Sequence, residues 1–126
     1  MDNNQEDTLA IARALEAYYF KGIYDGDVSL LRKVLHQGTL LFGDVKGAPY
    51  AKSLEVYLEV VKNRRSPKDS ERPFVGTIRS IEVINSIALA KVNVKMYDFN
   101  YEEFLSFHKI DNEWMIVNKM MSDTAP

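Results

Sequence analysis

At 126 residues, with 46% hydrophobic and 27% charged residues, the chain is long enough for one domain, 1–126, with a substantial core, and its composition is that of a globular protein. A formal net charge of −2 gives no electrostatic case for binding nucleic acid or an anionic membrane surface, and the lack of cysteine excludes disulfides, thiolate catalysis and Cys-based metal sites. The polar, acidic start MDNNQEDT does not read as a signal peptide, and no apolar run approaches the roughly 18 residues of a membrane span, so a cytoplasmic location with no membrane contact is expected.

In chain order, residues 1–5 read as a frayed end. Asp7 or Thr8 can cap a helix through LAIARALEAYYFKGIYDG, where Ile11, Leu15, Tyr18, Tyr19 and Gly22 recur at helical spacing as the buried stripe. Gly26 ends it. Asp27 caps a second short helix, VSLLRKVLHQ, with Val28, Leu31, Val34 and Leu35 inward and Gly38 as its stop. TLLFGD is a short strand and DVKG a turn. Pro49 and Ser53 precede a third helix, SLEVYLEVVKNRR, whose apolar face is Leu54, Tyr57, Leu58 and Val61. Ser66-Pro67 ends it. The stretch RRSPKDSERP is a solvated loop of alternating sign, which argues against an anion site there. Phe74 starts a sheet.

From there the runs are rich in Val, Ile, Phe, Tyr and Met, which suit a half-buried pleated surface. Asp111-Asn112, Phe99-Asn100 and Asn85-Ser86 are candidate two-residue hairpin turns, since Asn and Asp tolerate positive φ. They delimit strands from about Ile87 to Asp98, Tyr101 to Ile110 and Glu113 to Met121. Counting from these turns pairs Lys109 with Trp114, Phe107 with Ile116, Leu105 with Asn118, Val94 with Leu105, and Arg79 with Val92. Because side chains alternate, one face collects Val75, Ile81, Val83, Ala88, Ala90, Val92, Val94, Met96, Leu105, Phe107, Trp114 and Ile116 as the core face. The same count puts Arg79, Asp98, Glu103 and Asn118 among them. A buried charge is costly unless paired or wet. Either these groups lie near strand ends and reach water, or they line a polar cavity. The opposite face takes Ile78, Ser80, Glu82, Lys91, Asn93 and Lys95, then Phe104, Ser106, His108, Met115, Val117, Lys119 and Met121. That second group is too apolar for a solvated surface.

Two local patterns carry a resemblance. Tyr19-Phe20-Lys21-Gly22 followed by Gly26-Asp27 and Leu35-His36 looks like a helix 1–helix 2 signature. Tyr101 through Leu105 to Asp111-Asn112-Glu113-Trp114-Met115-Ile116 and Lys119 looks like a final hairpin. Together they resemble the nuclear transport factor 2-like superfamily, the fold of ketosteroid isomerase, scytalone dehydratase and the SnoaL-like cyclases, and within it the bacterial group labelled putative lumazine-binding. The resemblance implies an α+β fold, with three N-terminal helices packed on a curved antiparallel sheet to form a cone with an internal pocket. It also implies homodimers through the outer sheet face, here Phe104, Ser106, His108, Met115, Val117, Lys119 and Met121.

Such a pocket is expected to be lined by some of Tyr18, Tyr19, Phe42, Tyr57, Arg79, Asp98, Glu103 and Asn118, with Trp114 nearby, and to hold a small, partly aromatic or cyclic polar ligand. Isomerases of this fold use a carboxylate base with a tyrosine and a protonated acid as oxyanion donors. Asp98 and Glu103 are carboxylates of that type, but no catalytic role transfers residue by residue. A binding protein, a small acid–base enzyme of isomerase, dehydratase or cyclase type, and a dimeric adaptor with an incidental cavity all remain open. No cofactor is expected. His36 reads as a packing residue and His108 as a dimer-face residue, and the pair does not make a metal site. Glycine-rich phosphate loops and G-x-S-x-G elbows do not occur. Lys119, placed on the outer face, would serve structure or the interface rather than a Schiff base.

Overall fold

The computed structural model describes residues 3–126; of the expected frayed end, Met1 and Asp2 lie outside the described residues, and Asn3 already opens a helix. That helix runs as α1 (Asn3–Ala14), a π-helical turn (Leu15–Phe20) and α2 (Lys21–Asp25) without a break. Its buried residues Ile11, Leu15, Tyr19 and Ile23 repeat every four positions. A strict i, i+4 repeat drifts around a helix of 3.6 residues per turn, and one widened turn brings it back into line. The same turn buries Phe20 beside Tyr19. Gly26 takes a left-handed conformation (φ 69°) and ends α2. Asp7 does not cap the helix but sits within it, accepting from Lys109 and Trp114 of the β-hairpin at the far end of the chain.

Asp27 caps α3 (Val28–Arg32), accepting from the amides of Ser29 and Leu30. The expected helix to Gln37 stops short because Val34 and Leu35 are drawn into the sheet: the Ile116 amide donates to the Val34 carbonyl at 2.7 Å, and Leu35 pairs with Ile116. Apolar Leu31, Val34 and Leu35 fit helix and strand spacing alike. β1 (Leu35–Val45) turns at Lys46-Gly47 into β2 (Ala48–Ser53), a strand not expected from the sequence; it is the sheet edge, where the missing N–H of Pro49 costs nothing. Ser53 caps α4 (Leu54–Asn63). Within the charged loop, Ser66 and Pro67 start a one-turn helix, α5 (Pro67–Ser70).

β3 (Phe74–Ile84), β4 (Ile87–Met96), β5 (Phe99–Ile110) and β6 (Glu113–Asp123) complete a curved six-stranded sheet in the order β2-β1-β6-β5-β4-β3. Every pair is antiparallel except β1 with β6. Those two strands run so close that a side chain at Gly43 would lie 1.7 Å from the Met121 carbonyl oxygen. α1 packs on β3 and β6, and α4 on β1 and β2, so one sheet face closes with the helices into a cone.

The hairpins at Asn85-Ser86 and Asp111-Asn112 form as expected. The β4–β5 turn is Tyr97-Asp98, not Phe99-Asn100, so Val94 faces Tyr101 and Val92 faces Glu103. That shift is even and leaves the faces unchanged. Two bulges do change them. Arg79 is the extra residue in β3, so Ile78 rather than Arg79 faces Val92; Ile78 turns inward and Val75 outward, 49% exposed. Val117 is the extra residue in β6, so Leu105 faces Lys119, not Asn118. Beyond it Lys119 and Met121 turn into the core, and Asn118 and Met120 turn out.

Candidate functional site

The bulge at Val117 puts a cation inside the cone. Lys119 lies between Leu41 of β1 and Leu105 of β5 on the inner face, with its side chain 4% exposed. Glu103, one step along the same face of β5 and 1% exposed, places Oε2 at 3.5 Å from Lys119 Nζ. From the π-helical turn the Tyr19 hydroxyl donates to Glu103 Oε1 at 2.5 Å. The ammonium also lies over two rings, 5.4 Å from the Tyr19 centroid and 4.8 Å from that of Tyr57 on α4. A buried charge pair is tolerated only when each member is well partnered, and here each is.

Protonation follows from these contacts. Burial is the largest influence on the Lys119 ammonium and pulls it down, but the Glu103 carboxylate together with the Tyr57 and Tyr50 hydroxyls holds the group above its ordinary range. Burial, then the Glu103 charge, pushes the Tyr19 hydroxyl well above a normal phenol. Lys119 stays charged and Tyr19 stays a donor at neutral pH.

Toward β2 and the strand ends the cluster continues into an aromatic group. Phe99 and Tyr101 stack with centroids 5.2 Å apart, and the Arg64 guanidinium lies 5.7 Å from the Tyr97 ring. The Tyr97 hydroxyl donates to the Arg65 carbonyl, which ties this turn to the end of α4. Burial raises both Tyr50 and Tyr101, so these phenols also remain protonated. Among the described residues, the Tyr57 hydroxyl and the Arg64 Nε and Nη2 atoms are buried with no hydrogen-bond partner.

Of the residues singled out from the sequence, Tyr19, Tyr57 and Glu103 converge here. Tyr18 and Trp114 meet elsewhere, along a surface groove of about 610 Å³ beside α1. There Lys33 covers the Tyr18 ring, and the Trp114 indole donates to Asp7 at 3.0 Å. Phe42 is exposed on the outer face, in register with Met120. Arg79, displaced by its bulge, pairs with Glu102 at 2.6 Å on that same side. Asp98 sits in the β4–β5 turn and pairs with Arg72. Asn118 faces out and donates to the Leu40 carbonyl at 3.3 Å. Lys119 was missed because bulges have no sequence marker of their own. Arg64 was missed although a signal existed: the stripe Leu54, Tyr57, Leu58, Val61 extends at the same spacing to position 64. Among the described residues no cluster of three or more His, Asp or Glu could hold a metal ion, and no helix is long and apolar enough to cross a membrane.

Residues 6–122 match the family described as putative lumazine-binding. The chain belongs to that family. The fold of this member of the putative lumazine-binding family is that of solved structures described as nuclear transport factor 2-like. A protein of unknown function from Shewanella baltica is 19% identical, with 100% of each chain covered and a TM-score of 0.86. One from Silicibacter pomeroyi is 20% identical, covering 98% of this chain and 99% of its own, at 0.85. One from Methylobacillus flagellatus is 20% identical, covering 95% and 94%, at 0.82. All three are described as nuclear transport factor 2-like, and at these identities the likeness speaks for the fold alone. A comparison with curated proteins finds no match.

Proposed function

We propose that this member of the putative lumazine-binding family binds a small, cyclic, partly aromatic ligand in a pocket inside the cone, against Tyr57, Lys119 and the Tyr50–Tyr101 side. The observation that carries this is the Tyr57 hydroxyl: it is buried and unpartnered among the described residues, on a ring over which the Lys119 ammonium lies. A polar atom left so costs free energy that a ligand acceptor recovers. Flanking tyrosines supply flat apolar surface with polar tips, suited to a ring that also hydrogen-bonds.

Binding is favoured over acid–base catalysis by the state of the cluster. Glu103 already holds Tyr19 and Lys119, and both partners keep their protons through neutral pH. Groups so arranged hold charge in place rather than exchange protons. A thermal-shift screen of cyclic metabolites, with lumazine included, tests the reading. A ligand at a hundred times its Kd should add about 2.7 kcal/mol to stability, and Tyr57→Phe should weaken that ligand. A screen in which no ring compound moves the melting point, or in which the shift is indifferent to Tyr57→Phe, overturns it.

The same reading takes a second copy of the chain as the macromolecular partner, seated on the outer sheet face. Lys119 and Met121, expected in that interface, are buried inside the cone; Met120, Phe42 and Leu40 take their place on the outer surface. Supporting the face are its exposed apolar side chains and a groove of about 490 Å³ between Ile84, Ile87, Leu89 and Val117.

A further inference from the structure

We infer that the ligand of the interior site carries a carboxylate, which Arg64 holds on the Nε–Nη2 edge of its guanidinium; this rests on the interior being a ligand site. Arg64 follows the last turn of α4, its amide closing on the Val60 carbonyl at 3.0 Å. Spacing from Tyr57 and Val61 sets it on the helix face that carries Tyr57. Its ring contact is with Tyr97, and its charge acts on Tyr50, Tyr101 and Lys119.

Nε and Nη2 form the side-on fork of arginine, two nearly parallel N–H donors spaced like the two oxygens of a carboxylate. Both atoms are buried, and neither has a hydrogen-bond partner among the described residues. Among the described residues no buried carboxylate hydrogen-bonds to them. Asp123 accepts from the Asn100 and Ala125 amides through Oδ1; its Oδ2 is itself buried without a hydrogen-bond partner, and its ion-pair contact is with Lys46 at 3.4 Å. Glu103 is taken by Tyr19 and Lys119. Lys46 and Lys119 therefore have their counter-charges, and Arg64 is left with unpaired donors in a low-dielectric setting, a costly state unless a ligand relieves it. One fork and one uncompensated positive charge match a monoanion with two coplanar oxygens better than a phosphate dianion. The Tyr57 hydroxyl, likewise unpartnered, is a further polar contact for the same molecule.

Isothermal titration of the full chain with two matched pairs tests this: 4-hydroxybenzoate against 4-hydroxybenzamide, and lumazine-6-carboxylate against lumazine. In at least one pair the carboxylate should bind tenfold or more tighter than its neutral partner. Arg64→Gln should abolish that difference, and Arg64→Lys should too, since lysine keeps the charge without the fork. A second measurement does not depend on a variant folding: in the wild-type protein the Arg64 Nε–H resonance should move on adding the carboxylate and stay still on adding its neutral partner. Equal affinity within both pairs with an unmoved Nε–H, or inorganic phosphate displacing the carboxylate at equal concentration, overturns the inference and leaves the pocket reading standing. Failure of all four probes to bind overturns the inference as well; the pocket reading then falls only if the wider thermal-shift screen is also blank.

Discussion

Glu103 and Lys119 are worth more as a pair than either is alone, and the difference is measurable. Removing one member of a buried ion pair strands the other charge, at a cost of about 3–5 kcal/mol. Glu103→Gln leaves the Lys119 ammonium facing two tyrosine rings with no carboxylate, and Lys119→Met leaves Glu103 held by Tyr19 alone. The double variant Glu103→Gln/Lys119→Met strands neither charge, and it should be less destabilised than the sum of the singles by at least about 1.5 kcal/mol, within the coupling range of contacting residues. Chemical denaturation of the four proteins gives the cycle; additive losses would mean that the pair is not coupled. Sequence reasoning reached half of this pair. Glu103 was legible as an anomaly because an acid on an apolar face stands out, but its partner was assigned to the opposite face. Tyr19 and Tyr57 were legible from helical periodicity. Arg79, Asp98 and Asn118 were not where counting placed them, and Phe42, expected in the pocket, faces out, since each depends on a bulge, a turn or a strand pairing that lies outside strict alternation.

At the scale of elements, the hairpin turns and the stripes of α1 and α4 were legible because each rests on local chemistry: positive φ at Asn85, Asp111 and Asn112, and apolar residues at helical spacing. The two bulges and the parallel β1–β6 pairing were not, because they are set by what lies across the sheet. The same is true of Asp7, which looked like a cap. From within α1 it accepts from the Trp114 indole at 3.0 Å and from Lys109 Nζ at 3.1 Å, fastening the helix to the β5–β6 hairpin. The Trp114 hydrogen bond, with that from Lys109, holds the Asp7 carboxyl below its ordinary range. Asp27, held by Ser29 and Leu30 at the start of α3, is lowered too. A depressed folded-state pKa stabilises the fold above the unfolded value and loses that contribution as pH falls through the folded value. Stability should therefore be flat at neutral pH and decline from about pH 4 downward, where free carboxylates begin to protonate. Asp7→Ala should cost about 1–2 kcal/mol at pH 7 through the lost charged hydrogen bonds. It should also make the decline below pH 4 shallower. Urea titrations of both proteins across pH 3–7 check the sign: a variant that declines as steeply as the wild type would mean that Asp7 is not the group responsible.

For the molecule as a whole, the outer sheet face is the feature that a lone chain leaves unexplained. Phe42, Met120 and Phe104 stand directly opposite one another across β1, β6 and β5, so they form one row rather than scattered exposures. Phe104 is 51% and Met120 45% exposed. Lys91 lies over the Phe104 ring at one end, and Ile84 and Ile87 extend the apolar surface along the β3–β4 hairpin. Continuous apolar surface of this kind marks an interaction site on a protein that is otherwise solvated. A second copy seated on it through a two-fold axis, as proposed, would cover the same row on both subunits and leave the helices, and the interior cluster, outside the contact. Polar neighbours such as Glu82 and Lys95 then fall at the rim, the usual arrangement of an interface. Met120→Glu inserts a charge into the middle of the row at a position that faces away from the core, so it should split the dimer without unfolding the subunit. Sedimentation velocity at micromolar concentration should give a dimer for the wild type and a monomer for Met120→Glu, with helix and strand content by circular dichroism unchanged. A wild-type protein that sediments as a monomer removes the second copy as the partner of this face, and a Met120→Glu variant that stays dimeric places the contact on another surface.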